Sequence, residues 1–260
     1  MSAVEPPADK VLLRRQGAVL VITINRPQVR NAIDLETSER IGAALTDLDA
    51  DDTLRVAVIT GAGSMFCAGM DLKAFLRGEI PPLPDPRMAW YTDGPPAKPF
   101  IAAIEGAALG GGFEIALACD LIVAGRSTRF ALPEVRRGLM AGGGGLVRLP
   151  KRIAPSLAME WVLVGEPVDA DEAYRVGLVN RVVPDGEALG CALELAEKIA
   201  ANGPLAVAAS KRVMTESADS TQADAFERQL GIVERVHGSA DAKEGATAFV
   251  ERRTPQFQAR

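Results

Sequence analysis

The most apolar stretch of the chain, Pro99 to Gly125, is interrupted by three acids, Glu105, Glu114 and Asp120. A membrane span needs about 20 uninterrupted apolar residues, so this segment reads as part of a water-soluble core. Within it, residues 99–104 read as a strand, Gly110-Gly111-Gly112 as a tight turn, 113–118 as the start of a helix and 121–124 as another strand. Strand, turn, helix and strand in that order argue for an α/β core.

The flanking segments fit such a core. Residues 11–15 and 18–25 read as a β-hairpin around Gln16-Gly17, because β-branched residues cluster on both sides of a turn signal. Residues 35–48 read as a helix, with Leu35, Ile41, Leu45 and Leu48 near helical spacing and Asp34 placed to cap it. Residues 55–60 are a short buried strand before Gly61-Ala62-Gly63. The proline-rich segment 78–96 reads as a loop or lid. Beyond Gly142 helical periodicity dominates, over 155–164, 170–176, 186–201, 204–217, 221–236 and 240–250. The organisation expected is a core domain over 1–200 and a helical segment over 201–260.

Residue counts exclude several chemistries. A formal net charge of −5 gives no electrostatic reason to bind nucleic acid. The cysteines, Cys67, Cys119 and Cys191, are odd in number and far apart, so neither a disulfide framework nor a C-x-x-C metal clamp is available, which suits a reducing cytoplasm. The first ten residues lack the apolar centre of a signal peptide. His237 is the only histidine, which argues against a Ser-His-Asp hydrolase and any multi-histidine metal site. Acid–base work falls to carboxylates.

Two glycine turns invite a dinucleotide reading and neither completes it. After Gly61-Ala62-Gly63 the chain has Met65 and Phe66 where a further glycine belongs, and after Gly110-x-Gly112 it has Ile115. Gly110-Gly111-Gly112 instead supplies bare N–H groups at the positive end of a helix, a site suited to an anion or a developing oxyanion. Glu114 lies in that first turn, where a purely dipolar role is the competing reading. Phe66-Cys67-Ala68-Gly69-Met70-Asp71-Leu72 is a second place where small residues follow a strand, with Asp71 as a possible helix cap.

Taken in order, Phe66-Cys67-Ala68-Gly69-Met70-Asp71-Leu72, the run Lys98 to Gly106, the run Gly110 to Asp120, and Phe130-Ala131-Leu132-Pro133-Glu134 resemble the enoyl-CoA hydratase (crotonase) family. The resemblance continues through Gly177 to Val183, Pro204 to Val207 and Asp241 to Phe249, so it covers essentially the whole chain. It implies an α/β crotonase spiral of ββα units with a helical C-terminal segment. It further implies a hydratase that adds water to a trans-2-enoyl-CoA, giving a 3-hydroxyacyl-CoA. The two glutamates that hold the water match Glu114 and Glu134, and the backbone oxyanion donors are placed at Ala68 and Gly111. Gly142 matches a glycine whose N–H touches the water. Coenzyme A contacts are implied at Arg30, Asn31, Ala32, Ile33, Phe66, Ala68, Gly69, Met70, Asp71 and Leu72, with Arg26, Arg30 and Lys73 as candidates for its phosphates.

No metal, nucleotide or prosthetic group is implied, coenzyme A entering only with the substrate. Self-association as a homotrimer or hexamer is expected, and no nucleic-acid or membrane partner. The sequence departs from the family pattern at Met140-Ala141-Gly142, where many hydratases carry a proline, and in the proline-rich segment, which in the family shapes the acyl pocket. An enoyl-CoA isomerase and an idle acyl-CoA-binding protein stay open as alternatives.

Overall fold

A computed structural model describes residues 9–81, 85–92 and 94–260. The hairpin forms as expected: β1 (Val11–Gln16) pairs antiparallel with β2 (Val19–Ile24). β3 (Val56–Gly61), β4 (Phe100–Ile104), β6 (Leu121–Gly125) and β9 (Arg181–Val183) then add in parallel, completing a six-stranded sheet. The inner strands β2, β3, β4 and β6 are buried on both faces, so they read as continuous apolar runs rather than alternating ones. Leu20, Ile22 and Ile24 pack on one side with α1 (Leu35–Ala50), while Val19, Val21, Val56 and Val58 pack on the other with Ala188, Ala192 and Ala196 of α8 (Ala188–Ala200). Asp34 caps α1 as expected, accepting from the Thr37 N–H at 2.9 Å.

A small second sheet is made of β5 (Ala107–Leu109), β7 (Arg129–Ala131) and β8 (Val168–Asp169). Two strands of the large sheet run on into the small one, β4 into β5 and β6 into β7, and parallel bridges Cys67–Ala108 and Ile33–Met70 carry the same pattern back along the chain. Successive turns therefore each give one strand to each of two sheets before a helix. That is the ββα spiral expected. The helices that follow the turns include α2 (Leu72–Leu76) and α4 (Gly111–Ala118).

Two expectations need correction. The proline-rich segment is more than a loop: a 3₁₀ turn (Pro86–Met88) leads into α3 (Ala89–Thr92), and Met88 and Tyr91 are buried against Ala118 with Trp90 beside them. Its apolar residues pack, so the prolines do not leave it free; those at 82 and 84 lie outside the described residues. The region after Gly142 is also not purely helical, because β9 extends the large sheet beyond β6. Its helices are α5 (Gly145–Arg152), α6 (Pro155–Val164), α7 (Ala170–Arg175), α8, α9 (Pro204–Ser217), α10 (Gln222–His237) and α11 (Ala240–Glu251). Two of the three acids of the apolar stretch serve this framework. Glu105 accepts from the N–H groups of Gly186 and Ala188 at the head of α8, both at 3.0 Å. Asp120 accepts from the Phe100 N–H at 2.8 Å and pairs with Lys211 of α9 at 2.7 Å. No helix among the described residues is long and apolar enough to cross a membrane.

Candidate active site

The third acid, Glu114, is different. It lies in the first turn of α4, yet only 4% of it is exposed and its side chain caps nothing in that helix. Its Oε1 accepts instead from the Gly145 N–H at 2.9 Å, across from the loop that opens α5. Burial pushes its carboxyl up to about 7, and the charge of Glu134 adds to the rise against the opposing N–H groups of Gly145 and Gly143 and the cation of Arg148. The dipolar reading of Glu114 therefore fails to account for it.

Glu134 follows Pro133 at the head of a 3₁₀ turn (Glu134–Arg137), directly after β7. Its Oε1 is close enough to Gly110 that a methyl group there would sit 3.0 Å away. Its Oε2 is buried and has no hydrogen-bond partner among the described residues. Burial again raises the carboxyl, against the pull of its own N–H and of Arg137. An unpartnered buried carboxyl oxygen costs free energy unless a proton, a water or a ligand meets it.

Both glutamates open on one cavity of about 370 Å³. The Gly110-Gly111 turn, Gly142 and Gly143 share its wall, and Leu35, Phe75, Ile80, Met88, Tyr91 and Leu139 make much of the rest apolar. A cavity of this size and lining suits a small-molecule ligand.

Of the two N–H groups expected to meet an oxyanion, that of Gly111 has no acceptor among the described residues and that of Ala68 has one. The Ala68 N–H donates to the Arg30 carbonyl at 3.0 Å and is already used. Two residues on, the Met70 N–H has no acceptor among the described residues, and neither has that of Gly111. The two nitrogens border the same space: a methyl group on Gly111 would lie 3.5 Å from the Met70 nitrogen, and one on Gly69 would lie 3.1 Å from the Gly111 nitrogen. The available pair is Met70 and Gly111.

The expected coenzyme contacts divide in the same way. Ile33, Ala68, Gly69, Met70 and Leu72 line the cavity. Phe66 and Ala32 are core residues. Asp71 caps α2 by accepting from the Lys73 and Ala74 N–H groups, and it pairs with Arg26 at 3.0 Å. Arg26 also pairs with Asp34 at 3.2 Å, so its guanidinium is committed inside the protein rather than offered to a phosphate. Arg30 is exposed. Asn31 is fully buried; its amide donates to Ala62 O at 2.9 Å and Met65 O at 2.6 Å, and its oxygen accepts from the Arg26 N–H at 2.9 Å. It staples the loop below the cavity. Asn31→Ala would strand those three backbone groups and place alanine at φ 55°, so a loss of roughly 2–4 kcal/mol is expected in urea unfolding. An unchanged urea midpoint would refute the staple.

Sequence reasoning missed Gly145, Gly143, Tyr91 and Arg148, which support or wall the site. For α5 a signal existed in the spacing of Leu146, Leu149 and Ile153, all of which pack in the core.

The two-sheet spiral, with a cavity where two helix-opening turns meet, is the crotonase fold. The enoyl-CoA hydratase/isomerase family model matches residues 14–260, and the chain belongs to that family. It is 42% identical, over 100% of both chains, to enoyl-CoA hydratase EchA19 of Mycobacterium tuberculosis. It is also 42% identical to the carnitinyl-CoA dehydratase of Proteus mirabilis, over 95% of this chain and 98% of that one. The crystal structure of an enoyl-CoA hydratase from Mycobacterium tuberculosis H37Rv superposes with a TM-score of 0.93 at 50% identity, covering 96% of this chain and 99% of that one.

Proposed function

We propose that this protein hydrates 2-enoyl-CoA thioesters to 3-hydroxyacyl-CoA, with Glu114 and Glu134 acting on one water. The observation that carries this reading is the pair of carboxyls on one cavity, one raised by burial to about 7 and the other with an oxygen that has no partner among the described residues. A water between them would meet that oxygen, with Gly142 on the same wall.

Hydration needs a hydroxyl added at C3 and a proton at C2. As water attacks C3, one carboxylate takes its proton; the other carboxyl gives a proton to C2, so the pair ends with as many protons as it began with. Glu114 takes the water proton and Glu134 delivers to C2. One member of the pair must hold that proton at the start, and burial raises both carboxyls in the required direction. Negative charge building on the thioester oxygen is met by the N–H groups of Met70 and Gly111, fixed donors that need no reorganisation. The reading calls on no metal, nucleotide or prosthetic group.

The apolar wall favours an uncharged acyl chain. Arg30 and Lys73, both exposed, remain candidates for the coenzyme phosphates.

The test is loss of the enoyl-thioester absorbance over a panel of acyl-CoA chain lengths, with product masses. A gain of one water supports hydration, an unchanged mass with a moved double bond supports the isomerase, and no product supports a binding protein. We expect self-association as a trimer or hexamer from the family resemblance, and the apolar side chains left open on the last helices, Met214, Phe226, Leu230 and Phe249, the last 85% exposed, support an interface there. Light scattering at micromolar concentration should give a multiple of the chain mass; a monomer with full activity would refute it.

A further inference from the structure

Arg148 lies on α5, partly buried, three residues beyond the glycine whose N–H holds Glu114. Its Nη1 donates to the Tyr91 carbonyl at 2.5 Å and to the Gly143 carbonyl at 3.1 Å, and its Nη2 reaches the Thr92 carbonyl at 3.4 Å. No carboxylate forms an ion pair with it among the described residues; Glu114 is the acid whose charge it feels most. One guanidinium thus joins the end of α3, which brings Tyr91 to the cavity wall, to the 143–145 segment, which grips Glu114. The two pieces are already in contact, since the Tyr91 ring leaves no room for a methyl group on Gly143.

We propose that Arg148 is a positioning residue of the active site: it fixes the acyl wall at Tyr91 and the carboxyl of Glu114 relative to each other by bridging the two segments that carry them. A planar fork with several donors can satisfy carbonyls on two segments at once, which an ammonium does less well. Its charge acts as well, because a cation near a buried carboxylate favours the ionised form. The groups that bear on Glu114 are Glu134 from the 3₁₀ turn, Tyr91 from α3 and Arg148 from α5; beyond them Cys67 faces Tyr91, and Cys119 and Arg152 face Arg148.

The inference rests on the hydration reading for its kinetic readout, so it is tested with a second readout that does not. Hydration of one enoyl-CoA by the full chain is followed against pH for wild type, Arg148→Lys and Arg148→Met. Arg148→Met should lower kcat roughly ten- to a hundredfold, with KM changing less. It should also move the pH profile upward by roughly half a unit to one unit, because losing a nearby cation raises the proton affinity of the carboxyl pair whichever member holds the proton. Arg148→Lys keeps the charge and loses the fork, so its profile should stay in place while kcat falls by less.

The independent readout is the carboxyl titration of Glu114, by infrared difference spectroscopy on isotope-labelled protein, which should shift upward in Arg148→Met whatever the reaction is. A folded Arg148→Met with an unmoved Glu114 titration overturns the proposal, as does Arg148→Lys at wild-type kcat if the methionine variant does not fold. Wild type that hydrates nothing while the titration shift is present would overturn the hydration reading and leave the role of Arg148 supported.

Discussion

Glu114→Gln and Glu134→Gln are each expected to lower the hydration rate by roughly 10²–10⁴ while acyl-CoA binding changes little. Glutamine keeps the shape of each side chain and ends its proton traffic, and at Glu114 its amide oxygen can still accept from Gly145. The two variants should then differ in their pH dependence. The charge of Glu134 is one of the causes that lift Glu114, so in Glu134→Gln the remaining carboxyl should titrate below about 7. In Glu114→Gln the carboxyl of Glu134, raised by its own burial, is left to titrate alone. The measurement is single-substrate kinetics over pH, with a separate binding assay on a saturated acyl-CoA. Wild-type rates in both variants would refute the two-carboxyl mechanism. A silent Glu114→Gln, with a product of unchanged mass, would put the isomerase in its place, since moving a double bond needs a proton shuttle and no water.

Much of the framework was legible because it depends on local pattern. The hairpin, the cap at Asp34, the buried parallel strands and most of the helices follow from periodicity and turn chemistry, and the observed ends differ by only a few residues. What escaped has a common cause. β5, β7 and β9 are three residues long and exist only because a neighbouring strand supplies their ladder, and α5 begins inside a run of glycines that reads locally as a loop.

At the site, residue type and spacing pointed to Glu114 and Glu134, and they could not show which N–H groups are free. Along an extended chain, N–H groups two residues apart point the same way, so Met70 would have been expected to face the 30–33 segment as Ala68 does. Gly69 at φ 95° breaks that alternation. The Ala68 and Asp71 N–H groups still bind Arg30 O and Ile33 O, while that of Met70 is left over for the cavity. The assignment hinges on one backbone angle. Asn31 was misread for a related reason: a polar residue beside a binding loop looks like a ligand contact until its partners prove to be three backbone groups of the same fold.

Gly111→Pro tests the oxyanion site, because the fold can accept the substitution and the chemistry cannot. Gly111 is the first residue of α4, where proline's missing N–H breaks no helical bond and its fixed φ suits the helix. A proline also restricts the residue before it, which here is Gly110 at φ 53° and ψ −126°. That conformation is the mirror image of the polyproline region, which is compatible with a following proline and is open to glycine because it has no side chain. The position of a β-carbon on Gly111 meets nothing closer than 3.5 Å. The variant should therefore fold, with a urea midpoint close to wild type. It has lost one of two donors to the thioester oxygen and placed a ring carbon where that oxygen would sit, so a fall in kcat of at least roughly 10²–10³ is expected. The loss should appear in kcat more than in the affinity for free coenzyme A, because charge accumulates on the oxygen as the reaction proceeds. A folded Gly111→Pro enzyme that turns over within tenfold of wild type would mean that the oxyanion is held elsewhere, and Met70 would lose its place in the mechanism together with Gly111.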